Sequence, residues 1–216
     1  MVKSAILLAA IGLPFFSAVN INFDSMKLGE LPREWVPADA GEPWVIQHDP
    51  TAPSRPNVLA RLSPKGGQGA HYPLCFLDSI TCVDGDVSVK MKILSGRQGQ
   101  DAGVVFRASD DSHYYLVRAS ARDHNIAMFR VQDGHLEPLR INGQKGSTYA
   151  VLRPIKVGDW NLLRVTYKGN QASVYFNHRK VFDANDANLR ATGRAGVWTN
   201  ADTIAYFDDF RIDKKR

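Results

Sequence analysis

From Val58 onward the chain repeats one device: a short run of alternating apolar and polar residues, then a cluster of turn residues, then another run. A period of two belongs to a strand, whose successive side chains point to opposite faces of a sheet. Asp86 to Ile93 shows it plainly, with Val87, Val89, Met91 and Ile93 alternating with Ser88, Lys90 and Lys92. Further runs cover 103–108, 114–119, 126–131, 136–141, 162–167, 171–176, 180–182, 195–199 and 205–212. Their separators include Ser109 to His113, Lys168-Gly169-Asn170, Asn177-His178 and Asp133-Gly134, the last a strong two-residue hairpin signal. Many short strands with almost no helical periodicity predict an all-β, two-sheet antiparallel β-sandwich or jelly roll. Pro32 to Pro64 reads instead as a long irregular segment, anchored on the sandwich by Trp35 and Trp44.

The 216 residues suit one domain. Met1-Val2-Lys3 followed by the apolar run Ala5 to Phe16 has the layout of a secretory signal peptide. That run is shorter than the roughly 20 residues a membrane span needs. Cleavage is expected after Ala18, leaving residues 19–216 as a single secreted or periplasmic domain, expected as a monomer without a transmembrane segment. The net charge of +5 would suit a nucleic-acid partner, but the basic residues are scattered among acids except at Lys214-Lys215-Arg216. A solvated basic surface explains that pattern, and no nucleic-acid partner is expected.

Cys75 and Cys82 are the two cysteines. With a turn at Asp78-Ser79 they would face each other across a hairpin, close enough for a disulfide in an exported protein. Two buried thiols are the alternative. Paired carboxylates for a retaining glycosidase are missing: the glutamates are Glu30, Glu34, Glu42 and Glu137, and Asp208 and Asp209 point to opposite faces of one strand.

Several motifs resemble a known family. They are Asp84-Gly85-Asp86-Val87-Ser88-Val89, Ala102-Gly103-Val104-Val105-Phe106-Arg107, His113 to Ala119, Gly158-Asp159-Trp160 with Asn161 to Val165, Gly196-Val197-Trp198-Thr199 and Tyr206-Phe207-Asp208-Asp209-Phe210. Together they are similar to exported bacterial concanavalin A-like, laminin-G-like jelly-roll domains of the 3-keto-disaccharide hydrolase type, over about Phe23 to Ile212, which implies a concanavalin A-like jelly roll. Asn177-His178 departs from the Asn-Gly such hairpins commonly carry. The resemblance implies a carbohydrate ligand. It leaves open a hydrolase acting on an oxidised sugar, a non-catalytic glycan-binding module of the envelope, and an envelope structural domain.

A 3-keto sugar acidifies its neighbouring C–H, so elimination needs one base and one cation for the enolate. With the turn centred near Asp111, Arg107 opposes Tyr115 on a concave, ligand-facing sheet. Arg107 is then the cation, and His113 or His124 the catalytic base. Arg118 falls on the Phe106 face in that register unless a bulge intervenes. Tyr115, Arg118, Asp123, Trp198, Asn200 and Asp202 are the candidate substrate contacts. For the arginines and histidines the alternative is solvated surface, and for Trp198 the core. Trp160 opens a strand and is expected in the core. Asp208 is expected to head inward with Phe210 and Ile212, so it needs a partner. The resemblance implies a structural Ca2+ between Asp208 and Asp24, with a hydrogen-bonded, metal-free carboxylate as the alternative.

Overall fold

The computed structural model describes residues 18–38, 44–62, 72–146, 148–188 and 191–215. The expected signal peptide lies outside these residues, apart from Ala18. In chain order the strands begin with β1 Ala18–Ile21, β2 Trp35–Pro37, β3 Trp44–His48, β4 Asn57–Arg61, β5 Leu74–Cys82 and β6 Asp84–Ser95. Next come β7 Asp101–Ala108, β8 Tyr114–Ser120, β9 Asn125–Gln132, β10 His135–Pro138 and β11 Ala150–Leu152. The last are β12 Trp160–Lys168, β13 Gln171–Phe176, β14 Arg179–Asn185, β15 Gly193–Thr199 and β16 Ile204–Lys215. The described residues contain no helix, and so none long and apolar enough to cross a membrane.

Two antiparallel sheets form the sandwich. The first runs β14-β13-β12-β6-β16-β4-β3, with β1 beside β16; the second runs β10-β9-β8-β7-β15-β5-β2, with β11 beside β9. Sequence neighbours are often not sheet neighbours, as in a jelly roll. Val87, Val89, Met91 and Ile93 of β6 point inward as their alternation requires, and meet Val104, Phe106, Tyr115 and Val117 of the second sheet. Two hairpins turn on paired left-handed residues: Asp133 and Gly134 (φ 51° and 75°), and Asn177 and His178 (φ 46° and 67°). Asn177 offsets the strain of a non-glycine turn by accepting from the Leu162 N–H (2.8 Å) and donating to Asn161 Oδ1 (2.9 Å).

Strands replace the irregular segment expected over Pro32 to Pro64. β2, β3 and β4 fall there, and both tryptophans are core residues. Trp35 packs on Phe23 and Phe210, and Trp44 on Phe207. The apolar content of these short runs outweighs their prolines, which sit between the strands or at a strand end. Trp160 does open β12, but it stands opposite Lys92 on the outer face, with its ring 5.0 Å from the Lys92 ammonium.

The cysteine hairpin does not form. Cys75 and Cys82 belong to one continuous strand, β5, where they stand opposite Val197 and Gly193. Those partners lie four residues apart on β15, so roughly 13 Å separates the two cysteines along the strand, about twice the reach of a disulfide. Both thiols are buried and free. Burial raises the pKa of each, and the Cys82 sulfur lies 2.9 Å from the Tyr167 hydroxyl.

The outer face of the second sheet is also apolar over most of its length. Leu74, Phe76, Val105, Tyr114, Leu116, Phe129 and Trp198 form a second buried cluster there. Polar residues take over at the end of the sheet where β8 turns into β9.

Candidate functional site

β8 carries Tyr115 and Arg118 and is flanked by His113, Asp123 and His124, and the register at its two ends decides their roles. Phe106, not Arg107, opposes Tyr115. Arg107 takes a left-handed conformation (φ 51°) and sits where the β7–β15 register shifts, so it is the extra residue of a bulge. Gly193 permits the bulge, since a Cβ there would lie 2.3 Å from the Arg107 carbonyl carbon. The slip of one residue turns Tyr115 into the sandwich, stacked 5.3 Å from Phe106. The expected pairing of Arg107 with Tyr115 on a ligand-facing sheet is thereby corrected.

Both residues belong to a polar plug at the His113 end. Arg107 donates from Nε to the Val83 carbonyl (2.7 Å) and from Nη2 to Asp84 (2.9 Å), and lies over the Tyr167 ring. The Tyr115 hydroxyl donates to Asp186 (3.0 Å), which also accepts from Arg130 and Asn188. His113 holds the loop beside this plug, with Nδ1 2.9 Å from Asp110 and Nε2 3.2 Å from Asp133. The Asp110 hydrogen bond raises the His113 pKa above its ordinary value. Seven strand residues, roughly 23 Å, part His113 from the turn that carries His124, so the two cannot serve one site.

The opposite end gathers residues from five strands on the outer face of the second sheet. Trp198, Gly103, Arg118, Ala127 and Ala150 form one row across β15, β7, β8, β9 and β11. Asp101, Ser120, Asn125 and Leu152 form the next row outward, and Asn200 donates to Asp101 Oδ2 (2.9 Å) from the loop after β15. Arg118 lies between the rows. Its Nη2 donates to Asn125 Oδ1 (3.0 Å) and Asp123 (3.2 Å), and its guanidinium rests 5.3 Å from the centre of the Phe129 ring. The four-residue turn 121–124 holds Asp123 in place through its own N–H, which donates to Ser120 Oγ (3.0 Å). His124 closes that turn with φ 50° and an exposed side chain.

Asp101 Oδ1 and Arg118 Nε have no hydrogen-bond partner among the described residues. They lie 3.9 Å apart, and Asp101 is only 4% exposed. A buried acceptor and a donor left over side by side are costly unless something bridges them.

Three loops are tied together behind this corner. Asp202 accepts the N–H groups of Arg97 and Gln98 (both 2.8 Å) and Gly99 (3.1 Å). Burial pushes its carboxyl up, but these donors outweigh that and hold it below the usual carboxylate range. Asp202, expected as a substrate contact, is therefore a loop staple. Arg122 donates to the carbonyls of Gln98 and Arg97, and the fully buried Arg61 donates to those of Leu62, Thr203 and Ala201. Trp198 is 1% exposed, with Tyr72 stacked at 5.9 Å. It floors the corner from within the second cluster, which corrects the exposed platform and realises the core alternative.

Asp208 stands opposite Lys90 on the outer face of the first sheet, because the bulge between Asp208 and Arg211 lets Phe210 and Ile212 return inward without it. It is fully buried beneath the 49–56 segment. Its oxygens accept from the Ser54 N–H and hydroxyl (both 2.8 Å) and from the Asp209 N–H (2.7 Å). Burial pushes its pKa up to about 6 against these three donors. Asp24 turns to the Asn57 N–H (3.3 Å). N–H and O–H donors aimed at a carboxylate take the lone pairs a cation would need, so this pair does not fit Ca2+. Among the described residues no three His, Cys, Asp or Glu side chains converge as metal ligands.

Asp101, Asn125 and Leu152 escaped the sequence reading. Asp101 directly precedes the Ala102-Gly103 motif, and Asn125 directly follows His124, but only the strand register shows that they share a face with Arg118.

Residues 55–213 match the model of the 3-keto-alpha-glucoside-1,2-lyase-like domain. No curated protein sequence matches the chain. Among solved structures, a carbohydrate-binding module, CBM66, from Bacillus subtilis aligns with TM-score 0.62 at 18% identity, covering 82% of this chain and 94% of its own. A Bacillus subtilis protein of unknown function with a galectin-like fold aligns with TM-score 0.57 at 12% identity, covering 91% and 98%. Bacillus licheniformis β-glucanase aligns with TM-score 0.57 at 10% identity, covering 92% and 98%. At these identities the likeness establishes the jelly-roll fold.

Proposed function

The chain belongs to the 3-keto-alpha-glucoside-1,2-lyase-like domain family, and from that premise we propose that it is an exported protein that binds a 3-keto-glycoside at the Asp101–Arg118 corner and cleaves its glycosidic bond. The observation that carries this reading is the facing ion pair of Asp101 Oδ1 and Arg118 Nε, 3.9 Å apart, in which neither atom has a hydrogen bond among the described residues. A sugar hydroxyl both donates and accepts, so one hydroxyl satisfies both atoms. Export is supported by the charged start and apolar run that precede β1.

Chemistry follows from the ketone. A base removes the proton at C2, next to the C3 carbonyl, and the electron pair moves into the enolate. Re-formation of the ketone then expels the C1 oxygen, which leaves as an alcohol once it takes up a proton; water added later to the C1–C2 double bond completes a net hydrolysis. His124, exposed in the turn between Asp123 and Asn125, is the proposed base. Arg118 replaces Arg107 as the cation facing the enolate oxygen, because Arg107 is committed to Val83, Asp84 and Tyr167. Asn200 and Asp123 orient the two acidic and basic partners.

The test is mass spectrometry of products from a panel of 3-keto-glucosides and unoxidised glycosides, with His124→Ala and Arg118→Ala beside the wild type. Product from the 3-keto compounds alone, lost in His124→Ala while the ligand still binds, supports the reading. Tight binding with no product would make the domain a glycan-binding module. No binding of any compound would overturn the assignment of this corner.

A further inference from the structure

Leu152 is 75% exposed, more than any other large apolar residue described. Its position is defined by register: it stands opposite Asn125, the residue that accepts from Arg118. Ala150, two residues before it, packs on the outer cluster, while Val151 packs on the inner core. Leu152 therefore projects from the same outer face as Asn125, Ser120 and Asp101. Tyr149 lies close by, 44% exposed, with its ring 6.5 Å from Phe129, the same ring that Arg118 covers.

The outer row thus changes character along its length. Asn200, Asp101, Ser120 and Asn125 are polar; Leu152, at the β11 edge, is apolar and bare. An exposed leucine beside a polar corner gains nothing by itself, whereas a ligand with one polar and one apolar half matches both parts. The apolar area is one leucine and one tyrosine edge, far below a stable protein interface of about 1,200 Å2. It fits a single ring.

We infer that Leu152 and Tyr149 form the aglycone subsite, and that the favoured ligand is a 3-keto-glucoside carrying an aryl or other apolar aglycone rather than a second sugar. This rests on the Asp101–Arg118 corner being the sugar site. The polar row holds the oxidised ring, and the apolar edge removes the aglycone from water.

Calorimetric titration with phenyl 3-keto-α-glucoside, its methyl counterpart and a 3-keto-disaccharide tests it, using wild type, Leu152→Ser and Arg118→Ala. The phenyl compound should bind wild-type protein about tenfold more tightly than the other two, and Leu152→Ser should erase about fivefold of that advantage, as expected for partial burial of one leucine. Affinity for the methyl compound and the disaccharide should stay unchanged in Leu152→Ser. Leu152 is surface-exposed, so the variant keeps the fold. Equal affinities for the three ligands, or a phenyl affinity untouched by Leu152→Ser, would overturn the aglycone subsite. If Arg118→Ala weakens all three while Leu152→Ser changes none, the sugar corner stands and only this subsite falls. If Arg118→Ala changes none, or none binds, both fall.

Discussion

The two ends of β8 carry the same kinds of residue and do different things with them. At the His113 end Arg107, Tyr115, Arg130 and Asp186 close the sandwich. Arg130 Nε is unpartnered there, but Asp186 already accepts from Tyr115, from Arg130 Nη1 at both oxygens and from Asn188. At the His124 end Arg118 and Asp101 each keep an atom in reserve, and one is the complement of the other. An arginine beside an aspartate becomes a binding site only where donor and acceptor capacity remain together after the fold has drawn on both.

The largest effect that separates the ends is on stability. Asp186→Ala strips the acceptor from a part-buried arginine and a buried tyrosine hydroxyl, and should cost about 3 kcal/mol, read as a lower denaturation midpoint. Ligand affinity per folded molecule should not move. Arg118→Ala should do the reverse, with a ten- to hundredfold loss of ligand affinity for about 1.5–3 kcal/mol of charge-assisted hydrogen bonding and a midpoint shift less than half that of Asp186→Ala. Equal effects of both variants on both readouts would erase the distinction between the ends.

A third test concerns the strap over the first sheet. The Asp208 pKa is raised from 3.8 to about 6 in the fold, so between pH 4 and 6 the folded form holds the proton that the unfolded chain has lost. The stability that proton supplies is present below about pH 4 and is lost as pH rises through 6, by at most about 3 kcal/mol. Wild type minus Asp208→Asn should show that fall in urea titrations across the window. A flat difference would mean that the Ser54 and Asp209 donors fully offset burial. The smallest effect is predicted for His113→Ala, which should leave affinity unchanged. A loss of ligand there would place the site at the wrong end.

What the sequence made legible was whatever period and turn chemistry fix locally. The inward set of β6, the Asp133-Gly134 and Asn177-His178 turns, and the sandwich itself all follow from alternation and left-handed turn residues. What it hid was register. A bulge at Arg107 is set by Gly193, far along the chain, and one residue of slip moved Tyr115 inward and put Arg118 on the outer face. The same blindness invented a hairpin at Asp78-Ser79, where polar residues merely mark the exposed middle of β5. Residue type beside the motifs singles out Arg118, Asp123 and Asn200, and the structure gathers them at one corner. Asp101 and Leu152 are ordinary strand residues until the ladder sets them in one row.

A crystal structure of the protein soaked with phenyl 3-keto-α-glucoside tests the account most directly. It predicts a sugar hydroxyl within hydrogen-bond distance of both Asp101 Oδ1 and Arg118 Nε, with the ring lying over the β7–β9 end of the outer face. Ligand held against Arg107 and His113 instead, with Asp101 and Arg118 untouched, would contradict it.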